Sequence, residues 1–397
     1  MLPIRPTWLE IDLGALRSNV SNIKNILNPS TRLMTVVKSG GYNLGMVEAA
    51  RVAVAGGADM LGVAFAFEGV KLRQEGIKIP IMTLNCGTFL EQLDAIVKYD
   101  LTHNVSYIGL AEALSRVAVN YGRKVKVHVK VDTGMGRIGI SPRGAVYFIK
   151  QVLELKGLEL EGIYSHLSTA DEKDKTFTQK QFSIFMKIKD QLSDEGIHIP
   201  IWHIGNSAVV MDLPEMECDM VRAGISFYGY YPSTNVQKKV SLSPSLSLKT
   251  RIGYLKMVKA GTSISYGRTF VTDSDTIIAT LPAGYADGYP RQLGGLGQVL
   301  VRGRLCPILG RVCMDEMMVD VSHVRGVAPG DEVVLLGRQN GHEISAEKLA
   351  EWLGTINYEV LTLFSERLPR VYKDGDEIIE VRSMLGPHAP FWPYTTG

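Results

Sequence analysis

The chain has 397 residues, of which 45% are hydrophobic and 21% charged, with a formal net charge of +2. That balance is ordinary for a globular protein, gives no electrostatic case for nucleic acid or an anionic membrane, and leaves no apolar run near the ~20 residues that span a bilayer. Four scattered cysteines without a C-x-x-C pair suit a reducing cytoplasm, and the lack of H-E-x-x-H argues against a metal site.

Thr7–Leu13 reads as a strand, and Leu16, Val20, Ile23 and Leu27 follow at helical spacing. The run 32–37 is a strand ending at Lys38. Val47, Ala50 and Val54 form the next helical stripe, stopped by Gly56-Gly57. The alternation continues with strands at 60–64, 79–84, 101–106, 124–132, 158–165, 200–204 and 219–222. The clearest intervening helix carries Phe182, Phe185, Ile188 and Leu192. About eight such repeats match a (β/α)8 TIM-type barrel, with a doubly wound open sheet as the alternative. The barrel is expected over 1–244. From 245 to 385, short strands at 247–258, 276–281, 298–301, 317–321 and 332–336 predict a mostly β domain with one helix near 344–353. The segment 386–397 reads as an extended tail.

One strand stands out. In 124–132 the valines alternate with Lys126, His128, Lys130 and Asp132. A barrel strand is covered on both faces, and buried charge is costly unless paired. If the valines meet the helices, the polar set points inward and marks a site; an exposed edge is the alternative.

In a barrel, function collects where strands end. Those positions hold Lys38, Lys130, Arg137, His166, Asn206-Ser207 and Arg222, a cationic mouth suited to an anionic ligand. Lys38 is either a solvated lysine or a Schiff-base amine. His166 could hydrogen-bond Arg222. Ser207 and the amides after Arg222 offer a phosphate seat, or an ordinary helix cap. The run from Gly134 to Gly139 formally fits G-x-G-x-x-G, but the helix is expected only after Ser141-Pro142, so a nicotinamide dehydrogenase is the weaker reading. In the second domain three glycine-tyrosine or glycine-arginine clusters recur, around Tyr266, Tyr285 and Arg311, with no role assignable from spacing.

Taken together, these stretches resemble the bacterial, fold-type III, pyridoxal-phosphate-dependent alanine racemases. The resemblance rests on 7–16, Lys38 with Tyr42 and Gly45, 130–139, Ser165-His166, His203 with Asn206-Ser207, 222–225, 265–269, 284–291, 310–315 and 356–360. It implies a cytoplasmic homodimer with shared active sites, acting on a small amino acid, alanine foremost, by two-base proton transfer. Lys38 would hold pyridoxal 5'-phosphate and act as one base; Tyr266, from the partner subunit, would be the other. Arg222 would face the pyridine nitrogen and His166 would orient it. Arg137 would bind the ring's phenolic oxygen and the substrate carboxylate. Tyr42, Asn206, Ser207, Gly224, Ile225 and Tyr358 would complete the cofactor site. Cys313, Met314, Asp315 and Tyr285 would line the substrate pocket, and Arg291 and Arg311 the entrance. Lys130 resembles a lysine carried as a carbamate. A serine or broad-specificity racemase is the nearest variant. A fold-type III decarboxylase would place a carboxylate where Arg222 stands. The chain departs from the family where Asn43-Leu44 replaces a usual histidine-containing loop, at Ala223, and in the tail from Gly386.

Overall fold

The computed structural model describes residues 5–85 and 89–386, so the expected tail falls almost wholly outside the described residues. The described residues form two compact units, one within 15–243 and one of 5–14 with 244–386.

The first unit holds eight parallel strands. The very first strand, β1 (Trp8–Asp12), is not among them. The barrel strands are β2 (Arg32–Val36), β3 (Met60–Val63), β4 (Ile81–Thr83), β5 (Thr102–Val105), β6 (Val125–Lys130), β7 (Leu158–Tyr164), β8 (Ile201–His203) and β9 (Met220–Ala223). They pair in the order β8-β7-β6-β5-β4-β3-β2-β9. The two ends meet through Asp219 N–H to Trp202 O (3.0 Å) and Arg222 N–H to Gly205 O (3.1 Å), which closes the ring. A buried layer of Met34, Met60, Met82, Tyr164, Ile201 and Met220 fills it with one side chain from each of six strands. The polar face of β6 divides: His128 and Lys130 are buried, whereas Lys126 lies at the exposed end.

The second unit is built on an eleven-stranded sheet. Its strands are β10 (Leu246–Arg251), β11 (Tyr254–Val258), β14 (Thr276–Leu281), β15 (Gln298–Val301), β16 (Arg304–Leu309), β17 (Met317–Asp320), β18 (Glu332–Gln339), β19 (His342–Ile344), β20 (Arg370–Asp374) and β21 (Glu377–Arg382), with β1 inserted between β10 and β20. A separate hairpin joins β12 (Ser263–Ile264) to β13 (Phe270–Val271). Its helix Ala346–Leu353 starts where Ser345 Oγ accepts from Lys348 N–H at 3.1 Å and stops at left-handed Gly354.

Two expectations are corrected. The barrel does not begin at residue 1, because β1 pairs antiparallel with β10 and parallel with β20. Local periodicity identifies a strand but not its distant partner. The single strand expected over 247–258 breaks at Ile252-Gly253 into β10 and β11, where Gly253 N–H turns to Thr280 O (2.9 Å).

Candidate functional site

Lys38 follows β2 directly and opens a tight segment in which Ser39, Gly40 and Gly41 all have positive φ. Tyr42 and Asn43 continue the run, so five successive residues have positive φ, and the two glycines at its centre carry that conformation without steric cost. Glu68 fastens the segment by accepting Ser39 N–H (2.7 Å) on one oxygen and Ala64 N–H (2.6 Å) on the other. Burial, then the charge of Arg137, pulls the Lys38 amine below the usual lysine range, against a weaker opposing pull from Glu68. A desolvated amine of this kind is the one able to act as nucleophile or base near neutrality. Tyr42 closes the segment, stacked on Tyr228 at 4.5 Å between centroids, its phenol pushed up to about 12 by burial.

Both Nη groups of Arg222 on β9 are committed. Nη1 donates to His203 Nδ1 (2.9 Å) and His203 O (3.2 Å); Nη2 donates to His166 Nδ1 (3.0 Å), Ser165 O (2.9 Å) and Ile204 O (3.1 Å). Arginine has no acceptor, so both Nδ1 atoms must accept, and both rings carry their proton on Nε2. His203 Nε2–H then donates to His128 Nδ1 at 2.8 Å, and His128 Nε2–H donates to Glu161 Oε2 at 3.1 Å. Glu161 Oε1 accepts from Lys126 Nζ at 2.6 Å. A one-way chain of hydrogen bonds therefore crosses the barrel from Arg222 to Glu161. Burial works against the charge on Glu161, yet its bonds from His128 and Lys126 bring it down to about 2. Burial pulls His128, His166 and His203 below the usual imidazole range, which keeps the chain neutral between its ends. Burial also lowers Arg222, to about 10, which leaves it cationic at neutral pH.

After burial, the charges that depress His166 are those of Arg222, Lys130, Arg137 and Lys38. Of the predicted cations, Arg222 is bonded to this imidazole and the charges of the other three act on it. Lys130 is 4% exposed, its Nζ 4.3 Å from the centroid of Tyr164. Burial, then Arg222 and Arg137, holds its amine well below the usual lysine range, with Asp132 pulling weakly the other way.

On the other side of Arg222, Ser207 Oγ accepts from Gly224 N–H at 3.0 Å and meets Ser226 Oγ at 2.9 Å. A Cβ on Gly224 would stand 2.8 Å from the Tyr42 hydroxyl, so glycine is what lets that phenol come up beside the Gly224 backbone, next to Ser207 and ahead of the Ile225 amide. These groups are donors, with no carboxylate among them, as a phosphate requires. Asn206 plays a different part: its Oδ1 caps the helix Ser207–Asp212 by accepting from Ala208 N–H (3.0 Å) and Val209 N–H (3.3 Å).

The Gly134–Gly139 run does not open a helix. Asp132 Oδ1 accepts Gly134 N–H (3.0 Å) and Gly136 N–H (3.1 Å), and the next helical turn begins only at Pro142, so these amides are taken by a side chain of their own loop and do not head a helix that could seat a pyrophosphate.

In the second unit the three clusters meet. Tyr266 sits at the tip of the β12–β13 hairpin, 71% exposed. Ser265 Oγ donates to Arg311 O at 2.6 Å. Tyr285 N–H donates to Cys313 O (3.0 Å) and Ala286 N–H to Met314 O (3.0 Å), joining the Tyr285 turn to the loop that carries Met314 and Asp315. Arg367 bridges Asp315 at 2.7 Å. Arg291 heads a short turn, and Tyr358 lies on the helix Asn357–Thr362.

Sequence reasoning missed Glu161. Its signal was available: Glu159 and Glu161 are carboxylates in an otherwise apolar strand, and one directed inward needs a partner.

The family "Alanine racemase, N-terminal domain" matches residues 11–232, and "Alanine racemase, C-terminal domain" matches 245–372. The alanine racemase of Halothermothrix orenii is 48% identical over 93% of this chain and 97% of its own. Among solved structures, alanine racemase of Clostridium difficile superposes with a TM-score of 0.91 at 40% identity, over 96% of this chain and 99% of that one. The Bacillus anthracis alanine racemase with bound L-Ala-P gives a TM-score of 0.90 at 35% identity, over 97% and 99%.

Proposed function

The chain belongs to the alanine racemase family and interconverts the enantiomers of alanine; on that premise we propose that it does so with two bases, Lys38 and the partner subunit's Tyr266, around bound pyridoxal 5'-phosphate. The observation that carries this is that the charges of Lys38, Lys130, Arg137 and Arg222 act together on His166 beside a donor-lined, carboxylate-free cradle. Lys38, Tyr42, Arg137, Ser207, Arg222, Gly224 and Ile225 fit the cofactor and would hold it, with Tyr358 and, through its helix cap, Asn206 in support. When bound, pyridoxal phosphate supplies the electron sink that makes an amino acid's Cα–H removable.

The chain's residues do the rest. Arg137 binds the substrate carboxylate. Lys38, its amine already kept from ready protonation, takes or returns the Cα proton on one face. Tyr266 does the same on the opposite face, and the need for it makes a homodimer the working form. Racemisation follows because proton removal and return are divided between two groups on opposite sides. Arg222, cationic and held through both Nη groups, would present its Nε–H, which enters none of those bonds, to the ring nitrogen, and a guanidinium does not readily surrender a proton. A carboxylate there would serve decarboxylation, so Arg222 favours the racemase over that alternative. Cys313, Met314, Asp315 and Tyr285 enclose a small side chain, with Arg291 and Arg311 at the entrance, which favours alanine over serine or a broad range.

Lys130 is an amine held below the usual lysine range by burial first and then by two arginines. As a neutral amine it can add CO2 and lose a proton, which replaces an unpaired buried cation with an anion able to bind Arg137. The free thiols of Cys218, Cys306 and Cys313 fit a reducing cytoplasm as the place of work, and among the described residues no helix is long and apolar enough to cross a membrane.

The test is deuterium entry at Cα in D2O. Tyr266→Phe is expected to slow exchange from L-alanine by roughly 10²- to 10⁴-fold, the span of one acid–base group, while D-alanine exchange through Lys38 persists. Equal slowing of both enantiomers removes the two-base assignment.

A further inference from the structure

The residue before the proposed base has an unusual backbone. Ser265 has φ 64° and ψ −179°. That region is populated almost only by glycine, and an L-residue stays there when its surroundings hold it. What holds Ser265 is visible. Its Oγ donates to Arg311 O at 2.6 Å and lies 3.5 Å from Cys313 Sγ. Ile264, just before it, is anchored in a buried cluster with Ile278 and Leu309. The opposing Gly310 passes so close that a Cβ there would stand 2.7 Å from Ile264 O and 2.9 Å from Ser265 Cβ. Beyond Ser265, the chain carries Tyr266 out to solvent at 71% exposure. The base therefore stands on a hairpin tip entered through Ser265 and left through Gly267 and Arg268, which also have positive φ, and Ser265 is the residue that directs the chain into Tyr266.

We propose that Ser265 is a positioning residue: its hydroxyl, tied to the Arg311 carbonyl, holds the backbone in a glycine-like conformation and so aims the Tyr266 phenol. This rests on Tyr266 being the second base. The hydroxyl is what makes serine, rather than glycine, right here. Glycine would accept the dihedral angles but leave the tip free to turn, and alanine would keep the strain without the bond that offsets it.

The experiment compares Ser265→Gly and Ser265→Ala, with 3-fluorotyrosine incorporated and the resonance of residue 266 assigned by its loss in Tyr266→Phe. In Ser265→Gly the 19F line of residue 266 is expected to shift toward the value of a free tyrosine, and Cα exchange from L-alanine to fall about 10- to 100-fold, the cost of a misplacement near 1 Å. D-alanine exchange should change less than about threefold, since Lys38 acts on that face. Thermal unfolding supplies the second readout: Ser265→Ala should melt about 2–4 °C below Ser265→Gly, because only alanine keeps the strained dihedrals without the bond. A Ser265→Gly protein with an unchanged 19F line and unchanged exchange overturns the proposal, and equal melting of the two variants overturns the strain on which it stands. If Tyr266→Phe itself shows no preference between enantiomers, the base assignment fails, while the 19F line still decides whether Ser265 orders the tip.

Discussion

Gly162→Ala offers a direct test of the hydrogen-bonded chain behind Arg222. Gly162 on β7 is in register with His128 on β6. An added Cβ would stand 2.5 Å from His128 Nδ1, 2.6 Å from Cε1 and 2.9 Å from Ile201 O. None of these is a flexible tip. The imidazole is pinned at both nitrogens, at 2.8 and 3.1 Å, and the third atom is backbone. If the ring holds its place, overpacking costs about 1–3 kcal/mol. If it swings away, the buried His203 N–H and the ring's own N–H lose their acceptors at about 1–3 kcal/mol each. The two routes together span roughly 1–6 kcal/mol, which at about 2–4 °C per kcal/mol for a domain of this size lowers Tm by roughly 2–24 °C. Calorimetry of the protein without cofactor measures it. A second arm asks whether the clash is with the imidazole: in a His128→Ser background the same substitution should cost at least about 1 kcal/mol less, the coupling expected of residues in contact. A Tm within 2 °C of wild type, or strict additivity with His128→Ser, refutes the reasoning.

Other outcomes follow from the same structure. Lys130 has its folded-state pKa depressed by burial and by Arg222 and Arg137, so above that value the unfolded chain binds the extra proton and stability rises with pH toward the ordinary lysine range. In CO2-free buffer, Lys130→Met should flatten that rise, and bicarbonate should raise the Tm of wild type but not of the variant; identical responses defeat the carbamate assignment. His103 is held down to about 4 by burial, its Nδ1 paired with Thr83 Oγ1 at 2.5 Å. The unfolded chain therefore takes up a proton that the folded one refuses between about pH 6.5 and 4, and stability should fall as pH drops through that window, by roughly 3 kcal/mol at 1.36 kcal/mol per pKa unit. His103→Gln should make the acid limb shallower, and an unchanged limb would show that the imidazole is protonated in the fold. Asp287 is buried against Arg5, with Oδ2 accepting Arg5 Nη2 (2.7 Å) and Gly284 N–H (3.1 Å). Asp287→Ala should cost about 1–3 kcal/mol and raise KM for alanine more than it lowers kcat, because it loosens the turn that carries Tyr285; a pure kcat effect would contradict an entrance role.

The strand–helix alternation was legible from residue 30 to 222 because each strand is a short apolar run and each helix a 3.6-residue stripe, both local signals. β1 was legible as a strand and illegible as a partner: nothing within Trp8–Asp12 specifies pairing with residues some 235 and 360 positions away. Polar residues in β6 pointed to either a buried site or an exposed edge, and the strand shows both environments, with His128 and Lys130 buried and Lys126 exposed. Their division did not show, since the exposed end of Lys126 and the buried end of Lys130 look alike in alternation.

By itself, the order of amino acids determined the barrel, the mostly β second unit and the cationic residues at strand ends, since these depend on periodicity and on chemistry carried one residue at a time. Only tertiary structure decided that Arg222, His203, His128 and Glu161 form a single directed chain, and that Ser265 bears the strain beside Tyr266. Hydrogen-bond direction and backbone dihedrals are settled by which distant groups arrive within 3 Å, and that depends on how the strands close rather than on any one of them.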